Sequence, residues 1–469
     1  MVWNLPNRRL GMLAAVPIIG CIVTAFTAPA QASGDATGGG TPLATNNPAA
    51  PAVEPLADSK EQRWNWHVQN TDILDWHPGF PAKYSGPHSL SSGPEVQETV
   101  SLDLIAGARL WHGAEFHADG LIWQGFGFSK TFGAEGFPNG EAFRAGTESP
   151  NIVFARLFVR QTIGFGGDQE ALADQDLNLA GMQDISRLTV TLGKFSAKDV
   201  FDNNAYANNP RTQFLNLGLT ANEAWDYPAD SLGFATGIAL ELNQPHWTVR
   251  YGFFQVPRFS NGLAQDKSYL RAWAMVTEFE RRYSIGGHPG AVRLLGFLNQ
   301  AHMGSYRDTL NNPSFNEDIT LTRAYRNKFG FGLNWEQELA KSIGAFVRLG
   351  WSDGRNEAWM FSDVDRAASF GLSVKGDSWH RPQDTFGVAG VISGISQVHR
   401  DFFAAGGLGI FAGDGRLNYG LEQIAETYYD FEICKAMHGA LDYQFIANPA
   451  FNRDRGPVSV LSARIHVSF

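Results

Sequence analysis

The segment Leu461-Ser462-Ala463-Arg464-Ile465-His466-Val467-Ser468-Phe469 sets Leu461, Ala463, Ile465, Val467 and Phe469 on one face of an extended strand. Ser462, Arg464, His466 and Ser468 fall on the other. An apolar face carried to a final aromatic is the dyad pattern of a sheet whose outer side meets hydrocarbon. A soluble sandwich also alternates, but its last residues usually fray instead of pairing. The segment predicts the closing strand of a transmembrane antiparallel β-barrel, an all-β fold.

The opposite end agrees. Arg8 and Arg9 precede an apolar stretch over residues 10–26, and Ala28-Pro29-Ala30-Gln31-Ala32 offers cleavage after Ala30 or Ala32. Residues 1–32 therefore read as a signal peptide. Ile18-Ile19-Gly20-Cys21 has the form of a lipobox, but the residues after Cys21 stay apolar. Residues 33–60 are rich in Gly, Ala, Thr and Pro with little to bury, and predict a disordered periplasmic tail. The barrel is expected over 61–469, where no later apolar run reaches the ~20 residues of a membrane helix.

Composition supports one closed sheet. Mean hydropathy is -0.21, the average that half-polar, half-apolar strands produce. The 51 glycines and 13% aromatics suit tight turns and interfacial girdles. Cys434 is the single cysteine beyond the leader, which excludes an internal disulfide and a cysteine metal cluster. The formal charge of -10 argues against a nucleic-acid partner.

Alternation recurs along the chain. Val100, Leu102, Leu104 and Ala106 oppose Ser101, Asp103 and Ile105; Val153, Ala155, Leu157 and Val159 oppose Phe154, Arg156, Phe158 and Arg160. Trp247, Val249, Tyr251 and Phe253 oppose Thr248, Arg250 and Gly252; Tyr429, Phe431 and Ile433 oppose Asp430, Glu432 and Cys434. Charges at bilayer depth cost a few kcal/mol, so the arginines must face the lumen. About 16 strands of ~10 residues fit. Residues 201–212, 225–230 and 351–366 read as loops, some folded into the pore. The run Asp168, Glu170, Asp174, Asp176 reads as a solvated loop without EF-hand spacing.

The stretches Gly193-Lys194-Phe195, Phe201-Asp202-Asn203-Asn204, Asn209-Pro210-Arg211-Thr212-Gln213-Phe214, Trp225-Asp226-Tyr227-Pro228-Ala229-Asp230, Glu426-Thr427-Tyr428-Tyr429, Asp442-Tyr443-Gln444 and Asn448-Pro449 resemble the OprB family of carbohydrate-selective porins, from about Trp64 to Phe469. The resemblance implies passive passage of small sugars through a monomer or homotrimer in outer-membrane lipid, without cofactor. Ser85-Gly86-Pro87-His88 and Gly136-Phe137-Pro138-Asn139-Gly140-Glu141 resemble a branch associated with manganese uptake, which is the alternative solute. A barrel hydrolase is the third reading.

A sugar constriction sets charged and amide groups opposite aromatic faces. Alternation nominates Arg156, Arg160, Arg250 and Arg348 as inward cations, and Asp103, Glu241 and Asp442 as inward acids. The recurring arginines predict a positive constriction; the competing reading pairs these groups on the wall. Trp123, Trp225 and Trp351 are expected in the interfacial girdle, with sugar stacking as the alternative. For manganese, Asp199, Asp202 and Asp230 would have to meet His67 or His77. His399-Arg400-Asp401 imitates a kinase catalytic loop but lacks the Asn that should follow, and Gly407, Gly409 and Gly413 lack dinucleotide-binding spacing.

Overall fold

A computed structural model describes residues 61–142 and 146–469. The expected leader, lipobox and tail lie outside them. The chain forms β1 (Trp64–His77), β2 (Glu95–Trp111), β3 (Ala114–Gly125), β4 (Thr147–Gly164), β5 (Gln169–Leu172), β6 (Gly181–Asp184), β7 (Arg187–Phe195), β8 (Ala235–Gln244) and β9 (Trp247–Phe254). It continues through β10 (Trp273–Ile285), β11 (His288–Met303), β12 (Ala324–Ala340), β13 (Ile343–Ser352), β14 (Arg366–Gly376), β15 (Arg381–Gly394), β16 (Glu422–Cys434), β17 (Met437–Ala447) and β18 (Val458–Ser468). Sixteen of these close an antiparallel barrel in which each strand pairs with its sequence neighbours, β4 with β7, and β1 with β18. β5 and β6 form a separate hairpin. Closure leaves no sheet edge, the condition for placing strands in hydrocarbon.

β18 behaves as its alternation demands. Leu461 and Ile465 are exposed outward, while Ser462, Arg464 and His466 are buried on the lumen side. Gln69 to Trp76 of β1 pair with Ser468 back to Leu461, and the Phe469 amide donates to the Val68 carbonyl at 2.9 Å. β2, β9 and β17 follow the same rule.

In β4 the phase breaks. Asp119 pairs with Arg156 but Gly120 with Phe154, so Ala155 is a bulged extra residue. The bulge reverses the faces of the side chains just before it. Phe154, expected on the lumen side with Arg156, instead joins Ile152 and Leu157 on the exposed outer face.

Short turns, together with the β4–β7 connection that carries β5 and β6, gather at the end that carries the start of β1 and Phe469; the other long loops lie at the opposite, extracellular end. The long loops fold inward. Residues 196–234 are mostly buried inside the barrel, as are most of residues 356–365. Wall glycines make room for them: a Cβ on Gly344 would lie 2.0 Å from the Tyr206 ring, and one on Gly252 2.9 Å from Phe201. Trp225 packs in this interior core and Trp123 faces inward beside Leu232 and Phe234, so neither belongs to the girdle. Trp351 does face out, stacked on Phe331 at 4.8 Å, and Trp64, Trp66 and Trp111 add exposed rings near the short-turn end.

The acidic run is more ordered than a solvated loop. It belongs to the insert carrying β5 and β6, where Asp174 accepts from Asn65 at 2.7 Å and meets His67 Nε2 at 3.0 Å, and Asp176 accepts from Gln69 at 3.0 Å. Cys434 is an exposed free thiol at the β16–β17 turn. A charged maleimide should therefore label Cys434 in the folded, detergent-solubilised barrel; labelling that requires denaturant would contradict this placement.

Candidate functional site

Any loop buried in a barrel must find acceptors for its amide hydrogens. Wall carboxylates supply them. Glu426 on β16 accepts from Leu215 (2.6 Å) and Asn216 (2.9 Å), Glu278 on β10 from Asp202 (2.8 Å), and Glu336 on β12 from Ala205 (2.7 Å). Glu422 on β16 accepts from Gly136 (2.9 Å) and Ala450 (2.6 Å), joining two more loops. Within the loops, Asp226 accepts from Trp359 (3.0 Å), Met360 (2.9 Å) and Phe361 (2.9 Å).

Held in this way, the loops leave a lumen cavity of about 180 Å³ against β2 to β4. Two guanidinium groups border it. Arg156 forms a bidentate pair with Asp199 (both contacts 2.8 Å) and donates to Asp119 at 2.7 Å. Arg211, on the inward loop, bonds Glu141 at 2.8 Å and Asp103 closely. Four carboxylates thus surround two guanidinium ions, so the arginines at this cavity are paired and do not stand as a free positive cluster.

Lys198 supplies the third cation. Its ammonium donates to the Thr220 carbonyl at 2.6 Å and the Asn208 carbonyl at 3.3 Å. Among the described residues no carboxylate lies within ion-pair distance of it. Burial, and then Arg348, push its pKa down to about 8.

Phe137, Tyr227, Phe234, Phe361 and Phe411 face the same space. Asp230 accepts from the amides of Leu232 (2.9 Å) and Phe234 (3.2 Å), fixing the turn that presents Phe234 beneath Arg156, 5.2 Å from the guanidinium to the ring centre. Hydroxyl-binding charges and amides therefore stand opposite rigid apolar rings, a surface suited to a solute with polar edges and C–H faces.

Of the seven nominated residues, Arg156 lines the cavity and Asp103 stands behind Arg211. Arg160 donates to the Leu177 carbonyl at 2.8 Å. Arg250 joins Glu241 (3.0 Å), Glu278 (2.8 Å) and Glu280 (3.0 Å) on the wall; Arg348 holds Asp202 at 3.1 Å; Asp442 accepts from Gln444 at 3.1 Å. Lys198, Arg211 and Glu141 escaped the alternation argument because they sit on loops, although Arg211 and Glu141 fall within the family-like stretches.

The proposed manganese ligands do not meet. Asp199 is taken by Arg156, Asp202 by Arg348, Asp230 approaches Lys194 at 3.6 Å, and His67 is bound to Asp174. Among the described residues no group of three or more His, Cys, Asp or Glu is arranged to hold a metal ion. His399 lies on the helix Gln397–Ala405 and bonds Asp365 at 3.0 Å, a packing role.

The family described as carbohydrate-selective porin, OprB family, matches residues 87–469. No curated protein sequence matches the chain. The high-pH structure of Pseudomonas putida OprB is similar at TM-score 0.65 and 16% identity, over 87% of this chain and 94% of that one, a likeness of fold. The outer membrane channel DcaP of Acinetobacter baumannii (TM-score 0.47, 8% identity, 89% and 100% coverage) and Pseudomonas aeruginosa OccK2 (0.43, 9%, 87% and 98%) lie further off.

The staple has a measurable consequence. Glu426→Ala removes the acceptor from two buried amides, each costing about 1–3 kcal/mol when unsatisfied. A lower unfolding temperature and larger open-channel conductance are expected, with Glu426→Gln closer to wild type because it keeps an acceptor oxygen. Wild-type values for Glu426→Ala would show that the loop is held elsewhere.

Proposed function

The chain belongs to the OprB family of carbohydrate-selective porins, and from that premise we propose that mono- and oligosaccharides diffuse passively through the eyelet bounded by Arg156, Arg211, Lys198 and the facing rings. It is an outer-membrane porin, and its family and fold are those of a channel rather than an enzyme. The observation that carries the sugar reading is the opposition of paired charges to Phe234, Phe137 and Tyr227 across one cavity. Pyranose hydroxyls exchange water for the charged groups while C–H faces rest on the rings.

Within this reading Arg156, and Asp103 through Arg211, act at the eyelet. Arg160, Arg250, Arg348, Glu241 and Asp442 shape its field from the wall. Residues 1–32 serve as the export signal, 33–60 as a periplasmic tail and 61–469 as the pore. Outer-membrane lipid contacts the exposed face carrying Leu461 and Ile465. One chain supplies every residue named at the eyelet, so a single barrel suffices for transport whether it stands alone or in a trimer.

Planar-bilayer conductance of the refolded protein, titrated in turn with glucose, maltose and manganese, tests the reading. Sugar block is expected, and manganese-dependent current would overturn it. Replacing Arg156 and Arg160 together by Ala frees Asp119 and Asp199 from their cation, so block should weaken several-fold and the reversal potential move toward cation preference. If neither quantity changes, these arginines are not part of the conducting path.

A further inference from the structure

Three cations border the eyelet, and they are not equivalent. Arg156 spends its guanidinium on Asp119 and Asp199, and Arg211 on Glu141 and Asp103. Each guanidinium keeps unused N–H groups, but the acids fix where these point, because turning either one would leave a buried carboxylate unpaired. Their role is to hold the frame. Lys198 is held differently, by carbonyls and not by acids. Its ammonium carries three protons, and the protein engages it with two backbone carbonyls, of Thr220 and Asn208. Both carbonyls belong to the inward loop, and Asn208, Thr220 and Lys198 all line the cavity.

We propose that Lys198 is a specificity-determining residue of the eyelet, donating its remaining proton to a hydroxyl of a neutral sugar as it passes Phe234 and Tyr227. The assignment rests on the sugar-pore reading. The solute is neutral because the surrounding charge opposes an anion: four carboxylates outnumber the two guanidinium groups they hold, and Lys198 offsets only part of that excess. A carboxylate-bearing sugar would approach Lys198 through the field of Asp199 and Glu141, which line the same cavity. A hydroxyl meets no such barrier, and an ammonium donor gives it a charge-assisted hydrogen bond.

The competing role is mechanical, since the two carbonyl contacts brace the loop. Three variants of the full barrel separate the spare donor from the brace: Lys198→Arg keeps the charge and spare donors, Lys198→Gln has two amide protons, enough for the two carbonyls and none to spare, and Lys198→Met has none. Block by glucose is titrated in planar bilayers for each, alongside open-channel conductance and the size cut-off for polyethylene glycols. Loss of one charge-assisted hydrogen bond predicts glucose block on the order of tenfold weaker in Lys198→Met and in Lys198→Gln, and within about threefold of wild type in Lys198→Arg. The polymer cut-off should stay constant across the set. Undiminished block in Lys198→Met or in Lys198→Gln overturns the assignment, as does a loss in Lys198→Arg as large as that in Lys198→Met. A cut-off widened in Lys198→Met, with block lost in that variant but kept in Lys198→Gln, also overturns it in favour of the brace. If glucose fails to block the wild type, the sugar-pore reading falls and this assignment with it; a blocked wild type with an indifferent Lys198→Met brings down this assignment alone.

Discussion

Backbone amides drawn into the interior of a closed barrel must be satisfied there, and the wall meets this demand with carboxylates. Glu426, Glu278, Glu336 and Glu422 each take amide hydrogens from loops that enter the lumen. A carboxylate accepting such bonds is tied more firmly than a neutral acceptor would be, and an amide left unsatisfied costs about 1–3 kcal/mol. The same acids are balanced by wall cations: Arg250 bridges Glu278 and Glu280, and Arg293 bridges Glu280 and Glu336. Charge pairing on the wall and loop anchoring are thus one network.

That network makes the eyelet a rigid object. Asp202 shows the coupling: its amide donates to Glu278, its carboxylate holds Arg348, and it also accepts the Asn222 amide at 2.7 Å. The loop that presents Lys198, Arg211 and Tyr227 is therefore fixed to the wall on several strands at once. Preorganised groups exchange water for solute contacts without first paying to order themselves. A passive channel gains selectivity in this way while keeping each contact weak enough to release the solute.

The barrel was legible because membrane strands obey a strict rule. Leu461, Ile465 and Leu104 have to meet hydrocarbon and Arg464, Asp103 and Arg250 have to avoid it, so period-two alternation survives wherever the ladder is regular. Where the ladder is irregular, the period breaks. At Ala155 one bulged residue shifted the phase, and Phe154 went to the other face. An isolated tryptophan carries no mark of depth, so by sequence Trp123 and Trp225 fit the girdle; both fill the lumen instead.

The sequence by itself determined an all-β outer-membrane barrel, the inward face of most strands and the family to which the chain belongs, since these follow from local alternation and ordered motifs. It also located the segments that became inward loops. Which charges meet was decided only by the tertiary structure. Arg156 is paired with Asp199, which is 43 positions away, and Arg211 with Asp103 across 108. No local pattern encodes such contacts, because they depend on how far each loop reaches into the lumen and on which wall carboxylate receives its amides. The eyelet therefore belongs to the closed barrel: Lys198 acquires its distinct place only after every neighbouring cation has been claimed by an acid brought from elsewhere in the chain.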